Sequence, residues 1–242
     1  MKKIIIAVVC IAVGMVLALV MLPALGIQMT WLDAMRVDTR TVDVLEDFDR
    51  ISIRGVNYDI SMYPSYYSND ACRVHVCERG SGTAVQVVDG TLTITRSEDR
   101  PWYERLHLWS GGDEYVSIYL PEDFHGTVDV DTVSGDVYLD DMALRDLTVA
   151  STSGDIYLNS VTAENAMDLD SVSGYVWLWN CDGNSVTIDT VSGDVTGYFL
   201  TPKNFQASST SGSVNAPRPD KTAGTCRVAT VSGDIWLDLA ID

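Results

Sequence analysis

A Ser-Gly pair returns at a near-constant interval through the second half of this chain, and it constrains the fold more than any other feature. The pairs are Ser134-Gly135, Ser153-Gly154, Ser173-Gly174, Ser192-Gly193, Ser211-Gly212 and Ser232-Gly233, spaced 19, 20, 19, 19 and 21 residues apart. A period of this length means stacked units, because one short unit cannot bury an apolar face alone. Aligned on the serine, the units show apolar columns. Six residues before it stand Val128, Leu147, Met167, Val186, Phe205 and Cys226, and four before it Val130, Val149, Leu169, Ile188, Ala207 and Val228. Three after it stand Val137, Ile156, Val176, Val195, Val214 and Ile235, and five after it Leu139, Leu158, Leu178, Gly197, Ala216 and Leu237. Within each arm the columns lie two apart, the period of a strand with one face inward.

The columns predict an all-β fold, a parallel β-solenoid with coils of about 19–20 residues. Each coil holds two strands. A further inward column eight after the serine (Met142, Val161, Cys181, Leu200, Pro219) leaves room for a third. Six coils stacked at about 4.8 Å rise roughly 29 Å. Glycine suits the angles of a tight corner. The serine column and the hydroxyl column two before it (Thr132, Ser151, Ser171, Thr190, Ser209, Thr230) are expected to point inward and bond coil to coil. This regular solenoid covers residues 121–242. Over 46–120 the repeat blurs, although alternating runs persist at Ile51-Ser52-Ile53, Val74-His75-Val76 and Leu92-Thr93-Ile94, with a turn at Asp89-Gly90. An irregular β cap with degenerate coils is expected there, carrying a long loop from Arg96 to Gly112.

The other end of the chain has a different chemistry. Lys2 and Lys3 precede an apolar run from Ile4 to Leu25, 22 residues long. As a helix it spans roughly 33 Å, enough for a bilayer core. Residues 1–27 are therefore expected to form one transmembrane helix with the N-terminus cytoplasmic, and 28–45 a juxtamembrane linker to an extracellular domain. The alternative is a cleaved signal peptide with Ala24 and Gly26 at its small-residue positions, but the apolar run exceeds the about 7–15 residues of such segments.

Sixteen basic and 34 acidic residues give a net charge of -18, which repels nucleic acid and favours cationic peptides. Five cysteines and three histidines show no zinc-ligand spacing. Cys72 and Cys77 would lie about 17 Å apart in one straight strand, too far for a disulfide, whereas a hairpin or bulge between them would bring them together. Two outward ladders carry candidate chemistry. After each glycine come Asp136, Asp155, Tyr175, Asp194, Ser213 and Asp234. The aspartates Asp136, Asp155, Asp194 and Asp234 are candidate ligands for Ca²⁺, or simply solvated turn residues. Four after each serine come Tyr138, Tyr157, Trp177, Thr196, Asn215 and Trp236, with Trp179 and Tyr198 beside them. Tyr138, Tyr157, Trp177, Trp179, Tyr198 and Trp236 are the candidate ligand-binding face, since exposed aromatic rows suit glycans and peptides. Their alternative role is cross-strand stacking.

The pattern Thr-Val-Ser-Gly-Asp at 132–136, 190–194 and 230–234 joins two further signals, Phe48-Asp49-Arg50-Ile51 and a Val116–Pro121 strand ending in Leu-Pro. Together they make residues 46–242 resemble the bacterial envelope "putative adhesin" domain of unknown function. That resemblance implies a β-solenoid at the cell surface, a role in envelope-stress response or surface interaction, and no catalytic residues to carry over. No nucleophile elbow, Walker loop or zinc helix is present, and a Ser-Gly-Asp unit that recurs coil after coil argues for architecture rather than catalysis. The chain is expected not to be an enzyme. A membrane-anchored surface binding module, meeting a cationic peptide, glycan or envelope protein, is the first functional expectation. A scaffold or regulatory subunit is the second, docking a membrane partner or another copy through an open C-terminal coil. A polysaccharide-active β-helix enzyme is the third.

Overall fold

The computed structural model describes residues 37–65, 71–79, 82–96 and 114–240. The expected membrane helix, Cys10 and nearly all of the 96–112 loop lie outside the described residues, among which no helix is long and apolar enough to cross a membrane. Sixteen strands form there. They are β1 (Val37–Val44), β2 (Arg50–Val56), β3 (Asp59–Pro64), β4 (Cys72–Arg79), β5 (Thr83–Val88), β6 (Thr91–Arg96), β7 (Tyr115–Leu120) and β8 (Thr127–Thr132). After them come β9 (Val137–Ser151), β10 (Ile156–Ser171), β11 (Val176–Thr190) and β12 (Val195–Phe199). The last four are β13 (Asn204–Ser209), β14 (Val214–Asn215), β15 (Thr225–Thr230) and β16 (Ile235–Leu239).

The repeat columns become the walls of a coil. The arm before each Ser-Gly corner builds one wall and the arm after it the other. The first three inward columns are buried through coils one to four, where Val128, Leu147, Met167 and Val186 are fully covered. Coils pair in parallel and in register, as in Ile156↔Val137 and Ile156↔Val176. A second corner lies seven residues after the serine, where Asp141, Ser160 and Asn180 adopt φ of 53°, 52° and 53°. Asp and Asn tolerate this left-handed conformation. The long strands β9, β10 and β11 run round that corner without losing their partners. The one 20-residue spacing among the first four units has a local cause, since β10 pairs with a register shift between Ala163 and Ala166 on both sides. One extra residue bulges out there and the stack continues.

The serine, glycine and hydroxyl columns behave differently from expectation. Ser134, Ser153, Ser173 and Ser192 are exposed, not inward. The hydroxyls of Ser153, Ser173 and Ser192 still bond coil to coil, donating to the carbonyl one coil back, as in Ser153 Oγ to Val133 O at 3.0 Å and Ser173 Oγ to Thr152 O at 3.2 Å. The hydroxyl column two before does point inward, but it chiefly caps its own corner. Ser171 Oγ accepts the Gly174 amide at 2.9 Å and donates to the Gly174 carbonyl at 3.2 Å. The Ser-Gly glycines do not adopt positive φ; among the described glycines only Gly55 and Gly90 do. Close approach is what requires them, because a Cβ on Gly154, Gly174 or Gly193 would overlap the carbonyl of the glycine one coil back.

The stack is not in chain order at either end. On one wall the order is β1-β4-β7-β3-β9-β10-β11-β12-β16-β14. The last Ser-Gly unit, β15 and β16, therefore lies between the fourth unit and the fifth, with β15 paired to both β11 and β13. An open last coil was expected; the exposed edge instead belongs to the fifth unit, β13 and β14. This explains why Val214 is exposed, along with Ala216 and Pro219. Leu200, expected inward, is exposed because β12 shifts register and sets Phe199 opposite Cys181. The Phe199 ring fills the space left by the missing side chain of Gly197. At the other end β2 and β3 form a full coil between β6 and β7 on one side and β8 and β9 on the other. Antiparallel strands cover it, β5 on β6 through the Asp89-Gly90 turn and β4 on β7. Cys72 and Cys77 sit on the single strand β4, and all four described cysteines are buried.

Candidate ligand-binding face

The wall formed by the second arms carries the aromatic columns outward, because side chains two apart on a strand share a face. Parallel, in-register stacking then aligns equivalent residues on neighbouring coils. Tyr138 and Tyr157 stack with ring centroids 4.9 Å apart and planes within 5°. Trp177 continues the column at 6.4 Å from Tyr157, its plane turned by 58°. Trp179, two residues along β11, lies 6.1 Å from Trp177 with planes within 12°. Tyr198 closes on Trp179 at 4.8 Å. Five of the six candidate aromatics are thus brought into one cluster. Trp236 is not, because Thr196 of β12 separates it from Trp177, and it stands alone and exposed on β16.

Three aromatics of the same wall escaped the repeat alignment. The register Met62↔Leu139 puts Tyr63 of β3 opposite Asp140, beside Tyr138's coil. Tyr119 of β7 lies 5.9 Å from Tyr63, and His75 of β4 lies 5.3 Å from Tyr119. A parallel aromatic at the position six after the serine was their only signal, and it was lost where the repeat blurs. Between Tyr63 and Trp179 the same column holds two polar residues, Asp140 and Asn159, with the Asn159 amide donating to Asp140 Oδ1 at 2.5 Å. Tyr63, Tyr138, Tyr157, Trp177 and Trp179 line an open bay of about 660 Å³ around this pair.

The aspartate ladder has a defined use. Each Oδ1 accepts the backbone amide of the equivalent residue on the neighbouring coil: Asp136 from Asp155 at 2.8 Å, Asp155 from Tyr175 at 2.7 Å, Asp194 from Asp234 at 2.8 Å and Asp234 from Ser213 at 2.7 Å. The ladder continues backwards into β3, where Asp59 accepts from Asp136 at 3.0 Å. The second oxygen of Asp136 takes the Tyr138 hydroxyl at 3.1 Å, and that of Asp155 takes the Tyr157 hydroxyl at 2.9 Å. Burial, then the bond to Asp155 and its charge, push the Tyr157 hydroxyl up to about 12. The Tyr138 hydroxyl is raised for the same kinds of reason, so both phenols stay protonated donors at neutral pH. Among the described residues no group of three or more His, Cys, Asp or Glu side chains is placed to hold a metal ion. The carboxylates candidate for Ca²⁺ tie coil to coil and anchor the first two tyrosines of the face.

Three residues before the serine, on the other wall, stand Asp131, Asp170 and Asp189, which line a shallow groove of about 380 Å³. Burial first, then the charges of Asp189 and Asp168, raise the Asp170 carboxyl above its ordinary value. Cys181 and Cys226 sit in the core, where burial pushes each thiol up to about 12 and keeps it un-ionised.

Comparison with known proteins adds the following. No curated protein matches the chain. Among solved structures, a "putative cell adhesion protein" from Clostridium sporogenes is 14% identical, with a TM-score of 0.49, covering 85% of this chain and 100% of that one. A "putative adhesin" from Bacteroides fragilis is 15% identical, with a TM-score of 0.46, covering 86% and 99%. A "putative lipid binding protein" from Parabacteroides distasonis is 14% identical, with a TM-score of 0.36, covering 86% and 98%. Residues 48–242 match the Toastrack DUF4097 family along nearly the whole described domain, and the chain belongs to that family.

Proposed function

We propose that this protein is a non-catalytic surface binding module, held at the outer face of a bacterial membrane by its N-terminal apolar segment, with the aromatic bay as its binding surface. The observation that carries this reading is the bay itself. Five aromatic rings converge around the Asp140–Asn159 pair on a wall whose inner side is already a closed core. Large rigid rings left open to solvent around fixed polar groups are what ligand sites are made of. The repeated serines, glycines and aspartates support the non-catalytic part, since each is engaged in a bond or a close approach between coils. A role in envelope-stress response fits a module of this kind at that location.

The test compares the full chain in micelles with a Trp177→Ala/Trp179→Ala variant for binding to lipid-stripped cell-envelope material. Retention of the wild type and loss in the variant is the expected result; equal retention removes the bay from the function. Anchoring is read separately. The chain should remain in carbonate-washed membranes, with the domain after residue 45 sensitive to protease added outside intact cells.

A further inference from the structure

Resting on the bay as the binding surface, we infer that its ligand is a neutral oligosaccharide of pyranose rings. The shape favours flat rings. Tyr138 and Tyr157 are parallel within 5°, Trp177 and Trp179 within 12°, and the two pairs meet at 58°, so the aromatic planes form a trough. Tyr63 and Trp179 bound it three strand spacings apart, about 14 Å. That width takes more than one sugar ring lying flat. Half-exposed Trp179 offers an indole on which the C–H side of a pyranose can stack.

The polar floor favours hydroxyl groups. Asp140 is an acceptor with a second oxygen beyond its bond to Asn159, and the Asn159 side chain still has a carbonyl acceptor and a further N–H donor. A carboxylate beside an amide, framed by rings, matches paired hydroxyls, which donate and accept together.

Charge disfavours an anionic glycan, and topology excludes a peptide added as a strand. Residues 121–200 contain one basic residue, Arg145, so an anionic glycan finds no counter-charge in the bay and meets a chain of net charge -18. An extended peptide added to a sheet needs a free backbone edge. The bay lies on β3, β9, β10 and β11, each paired on both sides. A peptide could therefore use side-chain contacts alone.

The experiment is a titration of the full chain, in a detergent without a sugar headgroup, followed by tryptophan fluorescence and calorimetry. The probes are chitotetraose and maltotetraose (neutral), a hyaluronan hexasaccharide (anionic) and pentalysine (cationic). Saturable binding of a neutral tetrasaccharide is expected, with no response to hyaluronan. Trp179→Ala and Asp140→Ala should each weaken it about tenfold or more, the scale of one lost stacking or charge-assisted contact. The melting of both variants is checked so that a folding defect is not mistaken for lost binding. Pentalysine binding that disappears in Trp179→Ala, with both tetrasaccharides silent, would overturn the sugar class and leave the bay as the site. Silence from every probe, or binding that ignores both substitutions, would overturn the sugar and the site together.

Discussion

Replacing Gly174 by alanine should be among the most damaging single-methyl changes possible in this domain. A Cβ there would overlap the carbonyl of Gly154 and come within 3.1 Å of Ser171 Oγ. Relieving such an overlap to an ordinary contact requires the two coils to part by roughly an ångström or more. Four bonds across that corner would stretch: Val172 N to Ser151 O at 3.1 Å, Ser173 N to Thr152 O at 3.2 Å, Ser173 Oγ to Thr152 O at 3.2 Å and Tyr175 N to Asp155 Oδ1 at 2.7 Å. Overpacking costs about 1–3 kcal/mol, and two of those bonds weakened to nothing add about 1 kcal/mol each, so the total is about 3–5 kcal/mol. For a domain of this size that is a fall in melting temperature of about 6–20 °C. Circular dichroism of the full chain, in heat and in urea, reads it directly.

Two companion substitutions separate close approach from backbone angle. If the corner needed a left-handed residue, Gly174→Asn would be milder than Gly174→Ala, since Asn visits that region more readily. Close approach makes Asn at least as harmful. Gly55 supplies the opposite case, with φ of 67° and open space around a Cβ, so Gly55→Ala should cost only about 1–2 kcal/mol of strain. A loss under 1 kcal/mol for Gly174→Ala, or an Asn variant clearly more stable than the Ala variant, would refute the reasoning.

Other measurements bear on the remaining columns. Melting of the full chain with calcium and with chelator should coincide within error, because the ladder aspartates bond to amides; a large calcium-dependent rise would restore them as metal ligands. Asp155→Ala, which removes the acceptor for the Tyr175 amide and the Tyr157 hydroxyl, should cost about 2 kcal/mol in urea unfolding. The raised Asp170 carboxyl binds its proton more tightly folded than unfolded, so its contribution weakens stability as pH rises through the folded value. Asp170→Asn should therefore raise the melting temperature at pH 7 and lose that advantage in acid, below both values. Buried Lys203 is paired with Asp182 and donates to Gly183 O at 2.8 Å; Lys203→Met should cost about 3–5 kcal/mol, much of it recovered by adding Asp182→Asn.

What could be read from residue order was whatever the period preserves. The four inward columns, the parallel register and the outward aromatics follow from alternation and from stacking at fixed phase, and coils one to four obey the inward columns residue by residue. Alignment cannot order the coils in space. Nothing in the sequence of Thr225–Leu239 distinguishes a unit that follows the fifth from one that enters between the fourth and fifth, because both placements bury the same columns. The choice depends on what covers the end. Pro217 and Pro219 suit the exposed unit, since proline cannot donate to a ladder. The direction of the Ser-Gly serine was likewise out of reach, as a hydroxyl at a corner can bond inward or along the stack with the same local residues. Tyr63, Tyr119 and His75 were missed because a face is assembled from register, and register at the cap comes from strands that obey no repeat.

A repeat protein shows its function where the repeat is broken. Glycine, the hydroxyl two before the serine and aspartate recur because every coil must solve the same stacking problem. Departures from them need a local cause. Some causes are structural, as when Phe199 replaces the core position of Cys181 and Gly197 makes room for its ring. Tyr175 leaves the aspartate ladder but keeps a bond to the next coil through its hydroxyl, to Thr196 Oγ1 at 2.6 Å. Asp140 and Asn159 also bond across neighbouring coils, through the Asn159 amide, but each keeps hydrogen-bonding capacity beyond that bond. Their column carries aromatics on both sides, Tyr63 and Tyr119 before them and Trp179 and Tyr198 after, and rings there would have extended a favourable stack. Two adjacent polar side chains in the middle of that row give up stacking for hydrogen-bonding groups aimed at solvent. If the bay is the binding surface, those spare groups complete a contact with the ligand, and the centre of the bay rather than its rings should decide what binds.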